Sequence, residues 1–160
     1  GFLMRAFGEV LSRVSPPACG LDFGCGPGPA LIAMGREAGF EMAGYDKFYA
    51  DDPECLTRQY DFITSTEVIE HIATPRAVLD TLWGCLKPGG VLVLQGYTPR
   101  QLEYKTGGPP ILSHLYTPEM IRSAFAGLQI IELRDYEAVL NEGTQHCGQS
   151  ALLGLVARKP

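Results

Sequence analysis

The run Asp22-Phe23-Gly24-Cys25-Gly26-Pro27-Gly28 sets three glycines at alternate positions behind a carboxylate. Glycines so placed let a chain turn sharply and bring its backbone against a ligand where any side chain would clash. Asp46 follows the loop by about 20 residues, the spacing at which a strand–helix–strand unit brings a carboxylate to the hydroxyls of a ribose. Together these residues describe a cradle for a nucleoside-containing ligand. A dinucleotide pattern, Gly-x-Gly-x-x-Gly, asks for glycine at position 29, where this chain has Pro29. Asp22 would repel a pyrophosphate and suits a ligand that carries an ammonium group. An ordinary tight turn also accounts for the glycines taken by themselves.

A second constellation is Glu67, Glu70 and His71, spaced i, i+3 and i+4, so that on a helix the three side chains share a face. Three roles are open to it. Glu67 and His71 can line a pocket for a second substrate, with His71 as base or orienting group. The three can ligate a divalent cation, as carboxylates and imidazole permit, with His114 and His146 available to complete the set. Or the face is structural, Glu70 capping and His71 satisfied by backbone. The pocket reading is preferred for Glu67 and His71, and the structural one for Glu70 alone. An adjacent pair, His146-Cys147, reads better as a loop histidine and thiol than as a reactive dyad.

The elements that must position these residues follow from periodicity and punctuation. An apolar stripe of Phe2, Leu3, Phe7, Val10, Leu11 and Val14 predicts a helix stopped by Pro16-Pro17. Residues 18–23 predict a strand entering the glycine loop, and residues 29–38 a helix closed by Gly39 in a left-handed cap. Strands are expected over 41–45, 60–65 and 91–95. A helical stretch begins at Glu67, and Thr74-Pro75 opens a helix with Val78, Leu79, Leu82 and Leu86 on one face, ended by Pro88-Gly89-Gly90. Residues 97–115 form a polar, glycine-rich loop without period. Thr117-Pro118-Glu119 opens a further helix to about Ala126, and 129–133 and 151–157 are the last strands. Strands alternating with helices require a mostly parallel sheet covered on both faces. The last two strands have no helix between them, so one should run antiparallel. Trp83 and Phe125 read as helix-packing residues.

The chain has 160 residues, 46% of them hydrophobic, enough for one α/β domain over residues 1–160. A net charge of −5 without a Lys/Arg cluster argues against nucleic acid as partner. No apolar run is long enough to span a membrane, and no secretory signal is visible. Five cysteines without a CxxC pair favour reduced thiols and a cytoplasmic setting.

With these residues in place, the chain resembles the class I S-adenosylmethionine (SAM)-dependent methyltransferases. Leu21–Gly28 looks like their first motif and Gly44-Tyr45-Asp46 like the ribose-binding end of their second strand. Tyr60-Asp61-Phe62-Ile63 with Glu67-Val68-Ile69-Glu70-His71 resembles their fourth strand and the helix after it. Leu86-Lys87-Pro88-Gly89-Gly90-Val91 matches the turn into the fifth strand. The resemblance covers roughly residues 18–95. It implies a Rossmann-like three-layer α/β sandwich with strand order 3-2-1-4-5-7-6, strand 7 antiparallel, and SAM over the carboxyl ends of strands 1 and 2. It also implies cofactor contacts from Asp22, Gly24, Cys25, Gly26, Gly28, Asp46, Lys47, Ser65 and Thr66, with Phe48 also placed to pack on adenine. His114 and Tyr116, in or beside the long loop that forms the acceptor lid in this fold, read equally as substrate residues and as ordinary surface-loop residues. The Glu-x-x-Glu-His pattern is similar to the metal-binding helix of ubiquinone-pathway O-methyltransferases and of small-RNA 3′-end methyltransferases. Leu115-Tyr116-Thr117, Glu142-Gly143, His146, Gly148 and Val156–Pro160 are similar to the tail of tellurite-resistance-type small methyltransferases.

One departure stands out. Only 13 residues, Lys47 to Gln59, separate Asp46 from the strand at Tyr60, too few for a full third strand with its crossover helix. The region that supplies the adenine-binding acidic residue is thereby reduced. Asp51 or Asp52 could replace it, although solvated loop carboxylates are the simpler reading of both. The expected activity is methyl transfer from SAM to a small-molecule acceptor, with no metal required. Two alternatives remain: a non-catalytic SAM-binding sensor or partner subunit, and a nicotinamide oxidoreductase, which Pro29 and Asp22 disfavour.

Overall fold

A computed structural model of the chain describes residues 2–66, 75–104, 115–141 and 147–160. Along it run α1 (Phe2–Leu11), β1 (Cys19–Phe23), α2 (Ala30–Glu37), β2 (Glu41–Tyr45), a 3-10 turn η1 (Pro53–Thr57) and β3 (Tyr60–Thr66). There follow α3 (Pro75–Cys85), β4 (Leu86–Tyr97), α4 (Gln101–Tyr104), α5 (Pro118–Ala124), β5 (Gln129–Asn141) and β6 (Cys147–Arg158).

The six strands form one sheet in the order β2-β1-β3-β4-β6-β5. β1 pairs in parallel with β2 and β3, and β3 with β4, while β6 runs antiparallel to both β4 and β5. This is the expected three-layer order with its third strand missing: η1 occupies the short connection between β2 and β3. Asp52 caps that turn by accepting from the Glu54 N–H at 3.2 Å. A capped 3-10 turn is what 13 residues can build in place of a strand and crossover.

Period-2 alternation in the strands sends side chains to two cores. One face carries Leu21, Phe23, Ile63, Leu92, Leu94, Leu153 and Leu155 against Leu79 and Leu82 of α3 and Ile121 of α5. The other carries Phe62, Val91, Val93 and Val156 against Ala6, Phe7 and Val10 of α1 and Leu31 of α2. The Phe62 ring lies directly over Gly20, edge-to-face with Phe40 at 5.0 Å.

Some boundaries differ from the sequence expectation. α1 ends at Leu11, and Leu11 is 49% exposed rather than part of the buried stripe. Pro88-Gly89-Gly90 lies inside β4 as an irregularity: Tyr60 pairs Leu86 and Phe62 pairs Val91, so the turn is looped out of the ladder. β5 and β6 run to 13 and 12 residues, forming a long antiparallel pair whose outer part periodicity did not reveal. Among the described residues no helix is long and apolar enough to cross a membrane.

Candidate active site

The glycine loop is stitched to the end of β2. Gly24 sits at φ +83° and Gly26 at φ +67°, conformations that favour glycine. The Gly24 and Cys25 N–H groups donate to the Tyr45 carbonyl at 2.6 and 3.1 Å. The Gly26 N–H donates to Asp46 Oδ2 at 3.0 Å. Asp46 Oδ1 accepts from the Phe48 and Tyr49 N–H groups at 2.9 and 3.3 Å, and a backbone bridge between Asp46 and Ala50 closes the turn. A Cβ added at Gly26 or Gly28 would meet no atom within 4 Å, so this side of the loop is open. Phe48 and Tyr49 stand beside it, 83% and 64% exposed.

Gly44 explains how the loop closes down. A Cβ there would collide with Ile32 of α2 and stand 3.2 Å from Cys25 Sγ. Its absence lets α2 and the loop rest on β2. Tyr45 next to it stacks on Phe23 at 5.3 Å and donates its hydroxyl to Asp51 Oδ1 at 3.2 Å. Burial, and then this bond to Asp51, push the Tyr45 phenol above its ordinary value. Asp51 is thus tied to Tyr45, and Asp52 is the η1 cap.

Asp22 lies on β1 just below the loop, 4% exposed, and accepts from the Thr64 hydroxyl at 2.9 Å. Burial pushes its carboxyl up to about 6, and the Thr64 bond opposes that rise. The Cys25 thiol is also pushed up, by burial first and then by the charges of Asp22 and Asp46.

The structure brings Asp22, Gly24, Cys25, Gly26, Gly28 and Asp46 together at one end of β1 and β2. Lys47 is exposed in the turn beside them. Thr66 is half-buried at the end of β3, paired with Gln95. Ser65 is 1% exposed and pairs with Leu94, whose side chain belongs to the α3/α5 core, so it points away from the Asp22 face. Tyr116 corrects an expectation: it is 1% exposed and packed in the α3/α5 core, so its ring does not line a lid. Glu67, Glu70, His71, His114 and His146 lie outside the described residues. Among the described residues no group of three His, Cys, Asp or Glu side chains is placed to hold a metal.

Three buried polar atoms at the carboxyl ends of β3 and β4 have no hydrogen-bond partner among the described residues: Ser65 Oγ, Gln95 Oε1 and Thr98 Oγ1. Sequence reasoning gave no role to Thr64, Gln95 or Thr98. A signal was present, since Thr64-Ser65-Thr66 puts three hydroxyls at the end of a buried strand and Gln95 breaks the apolar run from Val91. Polar groups at the carboxyl edge of a parallel sheet are where open α/β folds bind ligands.

A mostly parallel sheet covered on both faces and ended by an antiparallel pair, with a glycine loop and an acidic strand end at its carboxyl edge, is the architecture of the Rossmann-like methyltransferase class. A family model described as a methyltransferase domain matches residues 2–147, and the chain belongs to that family, the class I SAM-dependent methyltransferases. A ubiquinone biosynthesis O-methyltransferase of Erwinia tasmaniensis is 28% identical over 82 residues, 51% of this chain and 34% of that protein. The chain therefore spans about a third of the length of the curated relatives it matches. A SAM-dependent methyltransferase from Archaeoglobus fulgidus superposes with a TM-score of 0.69 at 15% identity, covering 98% of this chain and 92% of that one. TehB from Haemophilus influenzae gives 0.63 at 15%, covering 98% and 62%. At such identities the structural likeness speaks for the fold.

Proposed function

We propose that this domain transfers the methyl group of SAM to an oxygen nucleophile on a small molecule, held over the carboxyl ends of β3 and β4. The observation that carries the reading is the Asp46 carboxylate bonded to the Gly26 N–H beneath the open side of the loop. Asp46 takes three N–H donors of the roughly four a carboxylate accepts, so one ribose hydroxyl can add to it and a second would displace a backbone bond. Phe48 and Tyr49 supply exposed rings against which adenine can stack. Asp22 supplies an anion for the ammonium of the amino-acid end.

SAM, when bound, supplies a methyl carbon already activated by its sulfonium. The chain's task is then to hold the acceptor oxygen at near-attack distance and to take its proton. Glu67 and His71 are proposed for the proton, and Gln95 and Thr98 provide buried polar atoms on the acceptor side. The relatives named as O-methyltransferases favour oxygen as nucleophile, and the net charge of −5 favours a small molecule over nucleic acid.

Asp46→Ala should lower SAM affinity by about tenfold or more, because it removes a charged acceptor from the ribose and unties the loop. Calorimetric titration of SAM into the folded variant measures this. An unchanged dissociation constant would remove Asp46 from the site.

A further inference from the structure

Asp22 and Thr64 are register partners in the β1–β3 ladder, one row below the glycine loop. The row continues to Gly44 on β2 and Val93 on β4, neither of which has a polar side chain. The Thr64 hydroxyl donates to Asp22 Oδ1 at 2.9 Å with both residues almost fully buried, 1% and 4% exposed. An ionised carboxylate only accepts hydrogen bonds, so the hydroxyl hydrogen is committed to Asp22. The β-branched threonine is restricted about χ1, which holds the hydroxyl oxygen within reach of the carboxylate, and the hydroxyl hydrogen rotates onto it.

We propose that Thr64 is a positioning residue for the cofactor's amino-acid end: its hydroxyl holds the Asp22 carboxylate in place as the anionic partner of the SAM α-ammonium. This rests on the reading that Asp22 belongs to the SAM site. Thr64 touches Asp22 and acts through it.

A hydrogen bond to the charged form favours that form. Burial lifts Asp22 to about 6, and losing the Thr64 bond lifts it further. The ammonium pairs with the ionised carboxylate, so SAM affinity climbs as pH rises through about 6 and levels off above it. Removing the hydroxyl moves that climb to higher pH. Among the described residues, the other titratable groups near this end of β1 are Cys25 in the loop and Tyr45 and Asp46 at the end of β2. On α1, which covers the same sheet face, Arg5 and Glu9 line a recess with Gln95, Glu132 and Arg134 over β4, β6 and β5.

The test is calorimetric titration from about pH 5 to about pH 8 with two ligands, SAM and its nucleoside thioether lacking the amino-acid end. In Thr64→Val, SAM affinity at neutral pH should fall about tenfold, its pH dependence should shift upward, and thioether affinity should not change. Thr64→Ser, which keeps the hydroxyl, should recover most of the SAM affinity. Wild-type affinity and pH profile in Thr64→Val would overturn the proposal, as would an equal loss for both ligands. If Thr64→Val does not fold, Thr64→Ala is read by the same comparison. Wild-type protein that binds neither ligand would reject the cofactor reading itself, a separate result from failure of the Thr64 role.

Discussion

Asp22 is held in conflict: the fold buries a carboxylate that the proposed ligand needs charged. Raising a buried carboxyl from its ordinary value near 3.8 to about 6 costs up to about 3 kcal/mol when the group is ionised at neutral pH. The folded state therefore binds the proton more tightly than the unfolded chain. The resulting stability is complete below about pH 4 and is lost as pH rises through about 6. Asp22→Asn, which still accepts from Thr64, should accordingly melt higher than wild type at pH 7 and alike at pH 4, while losing SAM affinity. Melting temperature against pH for both proteins measures it, and parallel curves would show that Asp22 carries no such burden. Asp46 differs in kind. It already accepts three backbone N–H groups, so its charge serves the loop whether or not a ribose is present.

Caps and glycines do the corresponding work for the elements. Thr117 accepts from the Met120 N–H at 3.1 Å and Pro118 occupies the first turn, starting α5 where the Thr-Pro-Glu run predicts. Gly39, at φ +97°, ends α2 with its N–H on the Arg36 carbonyl at 3.1 Å. The end of α3 is satisfied from a distance: Lys159 Nζ donates to the Trp83 and Leu86 carbonyls at 3.0 and 2.9 Å and sits 4.8 Å from the Trp83 ring centroid. A cation on the last carbonyls complements the helix dipole and gains from the ring face. Lys159→Met keeps the stem and removes the charge, and should cost about 1–2 kcal/mol. Urea denaturation reads this as a lower midpoint at unchanged slope; an unmoved midpoint would mean that water replaces the ammonium at no cost.

For the molecule as a whole, the candidate site is made by convergence at one edge of the sheet: two strand ends and a loop supply the proposed cofactor contacts, and the ends of β3 and β4 the proposed acceptor side. A ligand that binds only this assembled edge stabilises the fold by mass action, about 2.7 kcal/mol at a hundredfold excess over its dissociation constant. S-adenosylhomocysteine and SAM should therefore raise the melting temperature by several degrees, and NAD or NADP should leave it unchanged. A shift with the nicotinamide cofactors instead would revive the oxidoreductase alternative. The metal question belongs to the same scale, because Glu67, Glu70 and His71 would need partners from other segments. With an accepted substrate, EDTA should leave turnover unchanged. Loss of turnover restored by Mg²⁺ or Mn²⁺ would replace the proton-acceptor role with a metal-ligand role.

The strand–helix alternation, the parallel core and the glycine loop were legible in the chain because they rest on local signals: period-2 runs, glycines at turns, and an acidic residue at a strand end; the order of the strands came from the resemblance to methyltransferases. The shortening of the third-strand region could also be read, since chain length is a local quantity; that a 3-10 turn stands there in place of any strand was decided by the structure. Tertiary structure decided what depends on residues meeting across the sheet. Tyr116 reads as a loop residue beside a polar stretch, yet the core closes over it. Thr64 is one hydroxyl among three until register sets it opposite Asp22. Gly44 is a motif letter until Ile32 and Cys25 are seen to occupy the space its side chain would take. Lys159 is a terminal charge until the last strand carries it back to α3. Periodicity reports which face of an element is buried; only packing determines which residue of another element it will meet there.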